Sequence, residues 1–310
     1  MRLTLMAVGL AAFFVLPSAW AAGDSSPLRV CMADNNAPFS SKPWKAPNVS
    51  GFDVEIAKAI AAQLQRPLEI VPFESELEDE SNLSQEVNAM LSSGVCHIAS
   101  GFPMLQQDLG PPGRDVARTA EYPGAKSYKQ RPWIKLGTLI PSAPYHAVGM
   151  ALAVKDPAFA TITLANLGDA RIGALAGTVA GAATVLFNNR MWQARVKQLS
   201  RDDNALEMID DGTVDTMLVS LSKLDLWRIE KPNSMVKSTG YVHPMRMNLG
   251  FVGLTTNKPL LRAVSDVISK AILDGSMAKW ASDTNVSWLP PVQPHVSQGP
   301  TMMQLLRTGS

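Results

Sequence analysis

Short apolar runs and stretches with helix-spaced apolar residues take turns along most of the chain. Residues 28–33, LRVCMA, read as a strand, and a polar loop follows with a single aromatic in Asn35-Asn36-Ala37-Pro38-Phe39. From Gly51-Phe52-Asp53 onward, Phe52, Ile56, Ile60 and Leu64 recur every fourth residue, which lays one apolar stripe along a helix. Asp53 and Glu55 stand in its first turn, where the helix dipole favours negative charge. Residues 67–73 read as a second strand and 83–91 as a helix closed at Gly94, a residue suited to a C-terminal cap. The run 96–101 is a further short strand, leading into the turn Phe102-Pro103-Met104. Strands are also expected over 147–154, over RIGAL at 171–175, and at the end of GTVDTMLVS, which closes on Ser220. RIGAL runs through Ala176-Gly177-Thr178 into a helix of small residues, and a longer helix covers 260–273. Between 105 and 145, Pro111, Pro112, Pro123, Pro132, Pro141 and Pro144 argue for loops instead of a continued sheet. Alternating strands and helices make an α/β protein, which binds small molecules in loops at the carboxyl ends of parallel strands.

Four of these stretches carry a resemblance. "LRVC…NNAPFS…GFDVEIAKAIA", "DARIGALAGT", "GTVDTMLVS" and "LGFVGLTTNKPLLRAVSDVISKAILDGSMAKW" stand in the order found in the family 3 periplasmic solute-binding proteins, the polar amino-acid receptors of ABC importers. The chain resembles that family from Leu28 to about Trp288. The resemblance implies a type II periplasmic-binding-protein fold: two α/β lobes, each a mostly parallel sheet flanked by helices, joined by a two-strand hinge. Lobe 1 is then expected over 28–145 and 241–290 and lobe 2 over 147–238. The Pro-, Gly- and Ser-rich stretch 291–310 is expected to be a mobile tail. Such proteins close on their ligand by hinge motion. On this reading Asp34, Asn35, Phe39, Gly101 and Phe102 offer first-lobe contacts, with Trp44 as a lid. Gly177, Thr178 and Ser220 offer second-lobe contacts. Backbone N–H groups at the helix start, with the Thr178 hydroxyl, suit a carboxylate. A tight turn at Gly177 with no ligand, and Phe39 as plain core packing, are the alternatives.

The family's ligand code is altered. Its members usually hold the ligand carboxylate with an arginine after the fourth first-lobe element and the ammonium with an aspartate ending the "VDA" strand. Here residues 101–107 contain no arginine, and Ser220 stands at the aspartate position. Arg114 and Arg118 lie downstream. A buried ammonium or carboxylate without a partner costs several kcal/mol, so a standard α-amino acid fits poorly. A narrower resemblance, carried by Cys31, Asn35, Asn36, Pro38, Phe39, Cys96, Gly101 and Pro103, is to solute-binding-like accessory proteins of periplasmic quinoprotein (methanol-type) dehydrogenases. A few relatives are instead periplasmic dehydratases, for which Glu121 and His146 are the nearest general-acid candidates.

Composition narrows the classes further. Apolar residues at 46% and charged residues at 18% of 310 describe an ordinary globular chain of two modest lobes. The net charge of +1 is poor footing for a nucleic-acid binder, which usually needs a basic face. Residues 1–21 read as a signal peptide: Arg2 as the positive region, an apolar core over 3–16, and Ala19-Trp20-Ala21 as the cleavage site. That core is shorter than the ~20 residues of a spanning helix. The two cysteines, Cys31 and Cys96, lie in strands that are neighbours in the resembled fold, which implies a disulfide. An oxidising periplasm would preserve it, and two buried thiols are the alternative. With four histidines and no Cys-x-x-Cys, no metal site is expected. The resulting expectation is a monomeric, non-enzymatic periplasmic receptor without cofactor, delivering a small polar solute to an inner-membrane ABC permease. The alternative partner is a quinoprotein dehydrogenase.

Overall fold

The computed structural model describes residues 26–43, 45–74, 83–113, 117–125, 130–299 and 301. The expected leader, Trp44, Arg114 and the end of the chain from 302 lie outside them. The first part of the chain builds β1 (Leu28–Ala33), the short pair β2 (Asn35–Asn36) and β3 (Ser40–Ser41), α1 (Phe52–Gln63), β4 (Leu68–Phe73), α2 (Leu83–Ser92) and β5 (Ile98–Pro103). The middle builds β6 (Leu139–Val148), β7 (Met150–Val154), β8 (Ile172–Leu175), α3 (Val179–Arg190), β9 (Val196–Leu199), α4 (Ala205–Asp210), β10 (Thr216–Ser220) and α5 (Leu221–Glu230). The last part adds β11 (Lys237–Val242), β12 (Met247–Leu254), α6 (Lys258–Leu273) and α7 (Ser276–Asp283).

Two five-stranded sheets result, ordered β4-β1-β5-β12-β6 and β11-β7-β10-β8-β9. Each has one strand reversed against the rest, β12 in the first and β7 in the second. The chain passes between sheets at Gly149, between β6 and β7, and returns over residues 243–246, between β11 and β12. This is the two-lobed type II architecture with a double crossing.

The local logic of the first lobe follows the sequence pattern. Phe52, Ile56 and Ile60 are buried along α1, and Leu64 packs against the same core as α6 and α7. Gly51 starts that helix at φ 130°, and a Cβ there would lie 2.4 Å from the Phe39 carbonyl oxygen, so only glycine fits. Gly94 caps α2 in the left-handed region: its N–H donates to the Leu91 carbonyl and that of Val95 to Met90. Cys31 and Cys96 form a buried disulfide with Cα atoms 5.7 Å apart.

Two expectations change. The proline-rich stretch before Tyr145 was expected to be loop, yet β6 begins at Leu139 and carries Pro141 and Pro144. It is the edge strand of its sheet, paired with β12 and bridged on the outer side to Gly110 at Leu139, ahead of both prolines, and the register with β12 shifts near them, so a missing N–H is tolerated there. The single strand expected over 147–154 is two strands that belong to different sheets and meet at Gly149. The start of the expected mobile tail is held by buried Asn248. Its side-chain amide donates to the Val292 carbonyl at 2.7 Å and the His295 carbonyl at 3.0 Å, and its oxygen accepts the Val292 N–H at 2.9 Å.

Candidate functional site

A cavity of about 350 Å³ opens where the two crossings meet the mouth of the second sheet. Val148, Gly149 and Met150 form its wall at the first crossing, and Met245, Arg246 and Met247 form its wall at the second. Leu175, Thr178, Val179 and Ala180 come from the β8–α3 turn, and Leu218, Val219 and Ser220 from the carboxyl end of β10. Lys223 reaches it from the first turn of α5, and Ser297 and Gly299 close it from the C-terminal stretch.

The β8–α3 turn is built by Thr178. Its Oγ1 donates to the Leu175 carbonyl at 2.9 Å and accepts the Gly181 N–H at 3.0 Å, a side-chain N-cap. The Thr178 hydroxyl is therefore committed to the turn. Val179 and Ala180, whose amides precede the first internal bond of the helix, line the cavity. Gly177 takes φ +69°, and a Cβ there would lie 3.9 Å from the Arg201 Cδ. Ser220 Oγ pairs with Ser222 Oγ at 2.8 Å, where β10 turns into α5.

Of the residues singled out from the sequence, Thr178 and Ser220 line the cavity and Gly177 lies in the turn beside them. The first-lobe set does not. Phe39 is buried with its ring 5.3 Å from that of His146, and Phe102 is buried in the core around the disulfide. Gly101, at φ +66°, faces Asp53 and Asn36. The Asp34 backbone pairs with Phe73 and Lys42, and Asn35 stands exposed opposite Ser41. The C-terminal stretch that lines the cavity is itself tied to the first lobe. The Ser297 N–H donates to the Met104 carbonyl at 3.0 Å, and its carbonyl accepts the Gln106 N–H at 2.8 Å.

A second constellation lies inside the first lobe. Tyr145 donates its hydroxyl to Asp53 Oδ1 at 2.7 Å, while Asp53 Oδ2 is buried without a hydrogen-bond partner. Burial pushes the Asp53 carboxyl up to about 6, which the Tyr145 hydrogen bond only partly offsets. Burial, reinforced by the Asp53 charge, holds the Tyr145 hydroxyl well above its ordinary range. His146, packed against Phe39 and Phe52, is pushed down to about 4 by burial and accepts the Leu289 N–H at 3.3 Å. Perturbed groups cluster at functional sites, and also in cores. Here none of the three lines the cavity, and neither does Glu121.

Residues 28–93 match the family model of bacterial extracellular solute-binding proteins, family 3. The opening of the chain is thus similar to that family. Solved structures with this fold include the L-cystine solute receptor of Neisseria gonorrhoeae in its unliganded open conformation. It is 17% identical with a TM-score of 0.58, over 84% of this chain and 93% of that one. Substrate-binding domain 2 of Lactococcus lactis GlnP, also open, gives 14% identity and a TM-score of 0.61 over 86% and 97% of the two chains. An ancestral cyclohexadienyl dehydratase gives 15% and 0.54 over 84% and 92%. Comparison with curated protein sequences gives no match. At these identities the structural neighbours establish the fold, and the similarity of residues 28–93 to an extracellular family agrees with the buried disulfide in pointing outside the cytoplasm.

The cavity residues that the sequence left unmarked include Met150, Lys223, Met245, Arg246, Met247, Ser297 and Gly299. Lys223 had a faint signal, standing three residues after Ser220 at the start of a helix. The others become neighbours only through the two crossings and the docking of residues 292–299, which no local pattern reveals.

Proposed function

We propose that this protein is a periplasmic receptor that closes its two lobes on a small solute and delivers it to an inner-membrane ABC permease. The observation that carries this reading is the cavity at the double crossing, where Gly149 and residues 243–246 join the sheets. Motion about such a crossing changes the cavity without disturbing either core. The carboxyl end of β10 and the mouth of α3 face the same space, where α/β folds offer amides to ligands. The family match and the amino-acid receptors among the structural neighbours support solute binding as the role.

The enzymatic reading, suggested by the dehydratase neighbour, lacks its general acid. Among the described residues no Asp, Glu or His lines the cavity. A ligand present at 100 times its Kd should raise stability by about 2.7 kcal/mol and reduce the radius of gyration. Thermal shift and small-angle X-ray scattering across amino acids, carboxylates and amines check both effects. Binding without compaction contradicts the closing receptor. Absence of any ligand, with co-purification of a periplasmic dehydrogenase, supports the accessory role instead.

A further inference from the structure

The charges around the cavity are one-sided. Lys223 and Arg246 both line it, and neither has an ion-pair or hydrogen-bond partner among the described residues. Arg201 stands just outside, by Gly177. Among the described residues no carboxylate lines the cavity. Between these cations the wall is apolar, formed by Val148, Met150, Leu175, Leu218, Met245 and Met247.

We propose that the cavity takes a small organic monoanion with an apolar body and no ammonium group, a branched-chain or aromatic carboxylate being the simplest form. This rests on the receptor reading and narrows it.

Two unpaired cations around a space being dehydrated need an anion, and a guanidinium can grip a carboxylate with two parallel hydrogen bonds. An α-amino acid would bring an ammonium that finds no acid in the lining and is repelled by Lys223 and Arg246. Inorganic phosphate satisfies the cations but loses its hydration against methionine and leucine walls. A neutral amide fits the walls but leaves both cations unpaired. A carboxylate with a hydrocarbon body satisfies cations and walls together. The methionines suit bodies of varied outline, because their unbranched side chains adapt to irregular shapes.

The test is calorimetric titration of the protein with straight-chain, branched and aromatic carboxylates, each beside its α-amino acid and its amide. A carboxylate is expected to bind at least ~100-fold more tightly than the amino acid and amide of the same skeleton. Arg246→Gln and Lys223→Gln should each weaken that carboxylate at least ~10-fold, with the melting temperature of the free protein unchanged. Lys223 is exposed and Arg246 half-buried, so both variants should fold. An amino acid or amide binding as tightly as its carboxylate overturns the proposal, as does carboxylate affinity unchanged in the double variant. If amino acids bind and carboxylates do not, the ligand class falls while the receptor reading stands. If no member of any series binds, both fall.

Discussion

Asp53 and His146 push the acid stability of the first lobe in opposite directions. The folded-state carboxyl of Asp53 lies near 6, above its ordinary 3.8, so the folded protein holds a proton that the unfolded chain has released. Its favourable contribution is complete below 3.8 and is lost as the pH rises through about 6. His146 behaves in reverse. Its folded value of about 4 lies below 6.5, so stability is present above 6.5 and is lost as the pH falls through about 4. Between about 4 and 6 the two effects largely cancel. Asp53→Asn keeps an acceptor for Tyr145 and removes only the first effect. The variant should therefore gain stability relative to wild type between pH 4 and pH 7, by up to about 3 kcal/mol. Urea titrations at both pH values check this, and an equal difference at the two would show that Asp53 does not titrate on folding. At Gly51 the backbone is the constraint. Gly51→Ala should cost at least ~2 kcal/mol, because a left-handed residue and a clash with the Phe39 carbonyl combine.

Among elements, the covalent link between β1 and the turn before β5 constrains the unfolded chain most. The bond spans 65 residues of sequence and would stabilise the fold by about 4 kcal/mol in the chain-entropy model. Replacing both cysteines by serine should lower the denaturant midpoint and steepen the dependence on denaturant, because the unlinked unfolded chain exposes more surface. A loss under about 1 kcal/mol would show that the unfolded chain is already compact there. The elements the sequence announced are those with local signals. The stripe on α1, Gly94 behind α2, and RIGAL before a small-residue helix each depend on neighbours within a few residues. β6 was hidden because two prolines are compatible with a strand only where no strand partner lies beside them on its outer side. That edge position belongs to the sheet and not to the segment. The candidate site divides in the same way. Thr178 and Ser220 end elements that can be read locally, whereas Met245, Arg246 and Ser297 reach the cavity only after the chain has crossed twice and docked its end.

At the scale of the whole molecule, three chain segments tie the halves together: the two crossings and the stretch after α7. Asp225 of α5 is buried and accepts both the N–H and the hydroxyl of Ser287, at 2.7 and 2.6 Å. Trp288 donates its indole N–H to the Tyr145 carbonyl at 2.9 Å, just ahead of the first crossing. Beyond it, the stretch 292–299 depends on Asn248, whose side chain replaces the strand partners this irregular backbone lacks. Asn248→Ala leaves those carbonyls and the Val292 N–H unpaired, with a cost of roughly 1–3 kcal/mol for a buried polar group. The damage should be local. Amide exchange is expected to accelerate at 292, 297 and 299 and at Gln106, whose N–H is held by the Ser297 carbonyl, while β1 and β10 keep their protection. Because Ser297 and Gly299 form one side of the cavity, the same variant should bind the solute more weakly than its stability loss alone predicts. Exchange rates unchanged at Gln106 would show that the stretch is held by its other contacts. The wall it provides would then be part of the first lobe's own rigid body.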